Sequence, residues 1–198
     1  MTATSTSPSD DADAGDDLAG MLLIATPGMT DPRFRRSVIY LCSYSTQGAM
    51  GLVVNRVASD ISFVDVVGQL GIEVAERAAE VDVHVGGPVE TSRGFVLHST
   101  DFTHADSMAV DESRALSATI DVLAAIASGG GPRRRMFALG YAGWAAGQLD
   151  QEIQANGWRL VPADDDLVFG ADHATKWDRA LFKIGVDPSL LSGVAGHA

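Results

Sequence analysis

The stretch that most constrains the fold is Leu139-Gly-Tyr-Ala-Gly-Trp-Ala-Ala-Gly-Gln-Leu149, followed by Glu152-Ile153 and Trp158. An apolar run from Met136 to Leu139 reads as a strand, and Gly140, Gly143 and Gly147 follow it at short spacing. Glycine lets the backbone take positive φ and lets another surface approach closely. The pattern predicts a strand ending at Leu139, then a tight strand-to-helix turn packed under Trp144 and Trp158. A helix over Ala146–Asn156 follows, capped by Gly157. Such a turn is able to cradle an anion on free N–H groups. It matches neither Gly-x-Gly-x-x-Gly nor the Walker pattern, and it lacks the lysine and hydroxyl of nucleotide chemistry. Any ligand there would be held by backbone groups, without catalysis. A nucleophile elbow needs serine or cysteine at such a corner, and this corner holds Ala142.

Upstream, Gly20–Thr26 is a short apolar run stopped by Pro27-Gly28, as expected of a buried strand. Ser37–Cys42 and Ala49–Asn55, joined across Ser45-Thr46-Gln47-Gly48, predict a hairpin. Asp60 or Ser62 can cap a helix over Phe63–Leu70, which Gly71 ends. Val81, Val83 and Val85 alternate with Asp82 and His84, which predicts a half-exposed strand ending at Gly86-Gly87-Pro88. Gly94–His98 is a further strand, Met108–Leu116 a weaker extended stretch, and Thr119–Ala127 a helix. Trp158–Val161 reads as a short strand before the acidic loop Asp164-Asp165-Asp166. A last helix covers Thr175–Ile184 with Gly185 as its cap, and Asp187-Pro188 begins a final turn. Strands dominate the first half and do not alternate strictly with helices. The expected class is therefore α+β with a mostly antiparallel, strongly curved sheet and flanking helices.

The chain has 198 residues, enough for one domain with a substantial core, here placed at residues 18–198. Residues 1–17 contain no basic group and carry Asp10, Asp11, Asp13, Asp16 and Asp17, so they read as a disordered acidic tail and not as a secretory signal. No run reaches the length of a membrane span. The single cysteine, Cys42, lies in a strand pattern as a small buried hydrophobe, consistent with a reducing, cytoplasmic setting. The formal net charge of −12 opposes phosphate backbones. The two basic clusters, Arg33/Arg35/Arg36 and Arg133-Arg134-Arg135, read as solvated strand starts with no recognition helix beside them.

His98 ends an apolar strand, where it is able to act as a base, though a histidine bonded into the domain is the commoner outcome. His84, His104 and His173 lack metal-site spacing, and Asp164-Asp165-Asp166 lacks the alternation of a calcium loop, so no metal or other cofactor is implied. Asp31 and Asn55 are expected as hydrogen-bonding anchors for loops. With His98 and Glu152 they are also the candidates for a polar pocket, beside the glycine-rich segment Gly140, Gly143, Trp144 and Gly147.

Many separated motifs in order then identify a resemblance. They are Leu22-Leu23-Ile24-Ala25-Thr26-Pro27, Asp31-Pro32-Arg33-Phe34 with Ser37-Val38, and Gly48-Ala49-Met50-Gly51-Leu52-Val53-Val54-Asn55. Gly86-Gly87-Pro88-Val89, Gly94-Phe95-Val96-Leu97-His98, the Gly140–Leu149 motif and Glu152-Ile153 follow, then Pro162-Ala163-Asp164, Phe169, Lys176-Trp177 and Ala195-Gly196-His197-Ala198. Over residues 18–198 the chain resembles the bacterial YqgE/AlgH family. The resemblance implies an α+β fold with a bifurcated, barrel-like sheet. It implies little about activity, and the family's transcriptional-regulator label has no visible DNA-binding motif beneath it in this sequence. Where members often carry a histidine in the hairpin loop, this chain has Tyr44, so no role of that imidazole carries over.

The chain shows no catalytic dyad. The expected function is that of a cytoplasmic regulatory or binding protein acting through a protein partner or a small ligand. The alternatives are a hydrolase-like enzyme using His98 with Glu152 or Asp31, and a DNA-binding regulator, which the net charge opposes.

Overall fold

The computed structural model describes residues 18–78 and 80–187. Chain order gives β1 (Met21–Ala25), β2 (Val38–Ser45), β3 (Gly48–Val53), α1 (Phe63–Gln69), β4 (Val83–Val85), β5 (Val89–Ser99), β6 (Met108–Ala109) and β7 (Arg114–Ser117). The second half adds α2 (Ile120–Ala127), β8 (Arg135–Ala145), α3 (Gln148–Gln154), β9 (Trp158–Pro162), α4 (Asp165–Phe169) and α5 (Lys176–Lys183). The strands lie in the order β6-β7-β5-β8-β3-β2-β1-β9, and β4 pairs with β8 off that path. All these pairings are antiparallel except β4 with β8, which is parallel. This is the expected α+β class with a curled, bifurcated sheet. The acidic stretch at residues 1–17, the turn from Pro188 and the motif Ala195–Ala198 lie outside the described residues.

The branch point is β8. Its first half pairs with β5 and β4, through Arg135–Leu139, and its second half pairs with β3 through Ala142–Ala145, with Val89 of β5 still opposite Tyr141 across a register shift. The expected strand end at Leu139 is thus corrected: the strand continues to Ala145, and Gly140 and Gly143 lie within it. Gly140, at φ 71°, is the point where the strand leaves one set of partners for the other. It turns there against Gly86-Gly87, backbone on backbone. Gly86 N–H donates to Leu139 O at 2.8 Å, and a Cβ on Gly140 would sit 2.5 Å from Gly87 O. The helix starts later than expected, at Gln148, and Asn156 (φ 59°) supplies the left-handed residue ahead of Gly157.

Both faces of the sheet are covered, which is why β1 reads as an unbroken apolar run. Leu22 and Ile24 point to one side with Tyr40, Leu167, Trp177 and Leu181, under α4 and α5. Leu23 and Ala25 point to the other with Ile39, Leu41, Trp144 and Trp158. A third cluster joins α1 and α2 to Val96 and Phe137. Cys42 is buried as expected, its thiol pushed up to about 12 by burial. Ser62 caps α1 in a reciprocal capping box with Asp65, and Gly71 (φ 72°) follows the helix end.

Two readings change. In β4 the alternation holds at Asp82 and Val83 and fails after them: His84 is 4% exposed and Val85 43%, because a parallel strand against β8 is covered on both faces at Val83 and His84. The run Asp164-Asp165-Asp166 is no solvated turn but the start of α4, with the Asp164 side chain accepting from Leu167 N–H at 2.8 Å. Among the described residues no helix is long and apolar enough to cross a membrane.

Gly140→Ala tests the branch point. The substitution forces an alanine into left-handed backbone and a methyl onto Gly87 O, at a combined cost of about 3 kcal/mol. Urea denaturation should show that loss, and an unchanged midpoint would refute the close approach.

Candidate functional site

Past its bend, β8 delivers Trp144 to the base of α3, and α3 places Gln148 and Glu152 one turn apart on the same face. β9 then brings Trp158 alongside. The Glu152 carboxylate is where they meet. Its Oε2 accepts the indole N–H of Trp144 at 3.0 Å and that of Trp158 at 2.7 Å. Its Oε1 accepts the Gln148 amide at 2.9 Å. Phe34 closes the group from the loop before β2, stacked on Trp144 at 6.4 Å between ring centroids and edge-on to Trp158 at 5.6 Å. Indole N–H donors stabilise a carboxylate without neutralising its charge, so the residue remains an anion on an aromatic floor.

These residues line a cavity of about 610 Å³, whose other wall comes from the loop Thr26–Phe34. Asp31 stands on its rim, and Arg33 holds it through its Nη2 at 2.7 Å and its Nε at 3.1 Å. That side-chain bond, followed by the Arg33 backbone N–H, lowers the Asp31 pKa. Gly143 belongs to the same wall. Among the described residues the lining contains no cysteine, serine, lysine or histidine; its hydroxyls are those of Thr30 and of Thr26, the latter already donating to Asn156 O at 2.8 Å.

Of the candidates named from the sequence, the fold therefore gathers Asp31, Gly143, Trp144 and Glu152. It leaves the others elsewhere. Asn55 is the loop anchor expected of it: its Oδ1 accepts from Val38 N–H at 2.8 Å and its Nδ2 donates to Arg36 O at 2.9 Å. Gly140 serves the sheet branch. Gly147 takes φ 70° at the start of α3. The first turn there carries Asp150, whose carboxylate accepts the Tyr44 hydroxyl at 2.7 Å. His98 is fully buried and is not brought to Asp31 or Glu152. Its Nε2 meets Ser117 Oγ at 2.8 Å and its Nδ1 meets Ser99 O at 2.9 Å. The hydrolase-like pairing of His98 with either carboxylate is thus not assembled. Phe34 and Gln148 were missed as site residues. The offset of four between Gln148 and Glu152 was the available signal.

The other histidines form no metal cluster: among the described residues no three His, Cys, Asp or Glu side chains converge for one. His104 lies against Asp106 and Asp121 at the surface. His84 packs edge-on against His173 with ring centroids 4.8 Å apart.

A curled α+β domain with an aromatic recess built around one carboxylate is the class that fold and site define. The chain belongs to the AlgH-like family, whose model matches residues 22–189. It is 55% identical over 181 residues to a UPF0301 protein of Rhodospirillum rubrum, spanning 91% of this chain and 94% of that one. It is 53% identical over 201 residues to a UPF0301 protein of Rhodopseudomonas palustris, spanning 98% and 94%. The solution structure of the AlgH protein from Pseudomonas aeruginosa superposes with a TM-score of 0.76 at 39% identity, over the whole of both chains. A crystal structure of a Corynebacterium diphtheriae protein shares the fold at a TM-score of 0.61 and 21% identity, over 82% and 84% of the two chains.

Two outcomes follow from these contacts. Glu152→Ala leaves two indole N–H groups without their acceptor, one of them on a tryptophan only 1% exposed, and should cost about 2–4 kcal/mol. Glu152→Gln keeps an acceptor oxygen and should recover most of that in urea unfolding. Equal losses would mean that the indoles do not depend on the bond. Burial, with His173 and Lys176 nearby, lowers the His84 pKa from 6.5 to about 4, against the smaller pull of Phe137 O and Asp82. The unfolded chain then binds more protons than the fold between pH 6.5 and 4, so stability falls as pH drops through that window, by about 3 kcal/mol. His84→Gln should flatten the slope, and an identical slope in the variant would remove His84 as its source.

Proposed function

We propose that the protein is a non-enzymatic binding protein and that the Glu152 recess is where it takes up a small ligand or a side chain of a regulatory partner. The observation that carries this reading is the Glu152 carboxylate held by the N–H groups of Trp144 and Trp158. A general acid or base has to exchange a proton with substrate, and the described lining brings no histidine, lysine, serine or cysteine to Glu152. A fixed anion over aromatic rings suits recognition instead. The complementary group is an amine, guanidinium or amide N–H attached to an apolar face that lies on Phe34 and Trp144.

The chemistry of the arginines supports the same side of the argument. Arg33 is paired with Asp31, Arg36 with Asp178, Arg133 with Asp101 and Arg134 with Asp165. Guanidinium groups so committed are poorly placed to release phosphate counterions, and this weighs against a DNA-binding role.

The test is titration of tryptophan emission with tryptamine and with a blocked arginine amide, beside lysate capture on the immobilised full chain. A saturable change that Glu152→Gln abolishes, or a captured partner lost from that variant, is the expected result. If neither probe saturates and no captured protein distinguishes the variant from the wild type, the reading falls.

A further inference from the structure

The Glu152 recess borders a short length of unpaired strand. β2 and β3 close their hairpin at Ser45 and Gly48, so the main-chain groups of Gly48 turn to β2 and those of Ala49 turn to β8. Trp144, opposite Ala49, spends its own on β3. By the same alternation Gly143 and Ala145 point their N–H and C=O groups the other way, off the far edge of β8. The Ala145 N–H shows that direction, since it donates to Gln148 Oε1 at 3.0 Å. On that side β8 is paired by β5, whose register ends at Val89 opposite Tyr141. Among the described residues no strand continues beside Gly143 there, and no loop main chain bonds it. Without a side chain of its own, Gly143 leaves the approach to its main chain clear.

Cavities lie on both faces of this edge. The recess of about 610 Å³ is on the face of Trp144, Trp158 and Glu152. A second cavity, about 450 Å³, is on the other face, where Met50 stands opposite Gly143 and Ser43 opposite Met50. Met50 and Tyr141 there pack against the core cluster under α4 and α5. Val89, Gly143 and Trp144 line both cavities, so the two meet at the unpaired edge. Their characters differ. Glu152 has no cationic partner among the described residues, and its three bonds come from two indoles and an amide. The described lining of the second cavity carries no charged side chain and presents the Met50 thioether and the Tyr141 ring.

We infer that this edge takes up an extended segment of a partner protein in which an apolar residue adjoins a basic one. The apolar residue lies opposite Gly143, exchanges main-chain N–H and C=O with it, and directs its side chain onto Met50 and Tyr141. Successive side chains on a strand point to opposite faces, so its neighbour enters the recess and sets an ammonium or guanidinium on Glu152. The acidic chain, at net charge −12, favours the approach of such a segment. The inference rests on the binding role proposed above for Glu152 and adds the nature of the partner: a strand, held by its backbone and by two adjacent side chains. A free amine or an arginine analogue makes only one of those contacts.

The probe is the peptide acetyl-Arg-Leu-Arg-amide, which offers the leucine a basic neighbour whichever way the strand runs. Its affinity for the full chain is measured by tryptophan emission, beside that of the blocked arginine amide. A third ligand is the same peptide N-methylated at leucine, which keeps the charge and loses the N–H that Gly143 O accepts. The peptide should bind at least about tenfold more tightly than either comparison. It should also slow hydrogen exchange at the Gly143 amide and lose its advantage in Glu152→Gln. If the blocked arginine amide saturates and the peptide binds no more tightly, the strand is overturned and the recess stands. If neither saturates, both readings fall. Equal affinity of the N-methylated peptide, or an advantage that Glu152→Gln leaves intact, would also overturn the inference.

Discussion

The architecture depends on one contact between two pieces of bare backbone. Gly86-Gly87 lies against residues 140–142 so closely that a Cβ on Gly86, Gly87 or Gly140 would overlap main-chain atoms. That approach lets Gly86 take a hydrogen bond from Val53 N–H while donating its own N–H to Leu139 O, so three strands are tied at one place. It also forces β8 to turn at Gly140 and change neighbours. A strand with two sets of partners is what curls the sheet and splits it. The curled sheet stays open, with β6 at one edge and β9 at the other.

The recess at Glu152 is a consequence of that turn. Without the change of partners, Trp144 would continue along the β5 edge and would not reach α3. Once there, the carboxylate converts an apolar corner into a polar one at small cost, because its oxygens are met by three N–H donors in fixed positions. Burying two tryptophans requires an acceptor for each indole. A single oxygen provides both. Structure and recognition therefore share the same atoms here, and the stability of the corner cannot be separated from the charge it displays.

Much of this was legible in the residues. Alternation and turn chemistry gave the β2–β3 hairpin, the Ser62 cap and the helices ended by Gly71 and Gly185, because those signals are local. The glycines of β8 were read as a turn because glycine is poor strand material in isolation. The fact that rescues it, a second glycine pair some fifty positions earlier packed against the first, is a tertiary one. The three aspartates at 164–166 misled for a similar reason. Their cationic partners Arg114, Arg134, Arg179 and Lys183 are scattered along the chain, and no spacing rule joins them. His84 was placed outside by strict alternation, which fails in a parallel strand covered on both faces. Of the site, Trp144 and Glu152 were visible as types, but Phe34 comes from a loop whose position only the fold decides.

Net charge proves a poor guide to the chemistry inside the molecule. The exposed surface sets the sign of the whole, while each cavity is governed by which of its charges are already matched. The Glu152 recess keeps a carboxylate whose partners are dipoles, while Arg135 and the buried Lys176 keep a guanidinium and an ammonium whose partners are carbonyls. A dipole satisfies the hydrogen-bonding needs of an ion and leaves its charge in place. Within one acidic domain, then, a carboxylate, a guanidinium and a buried ammonium each keep their charge because the groups that hold them are neutral.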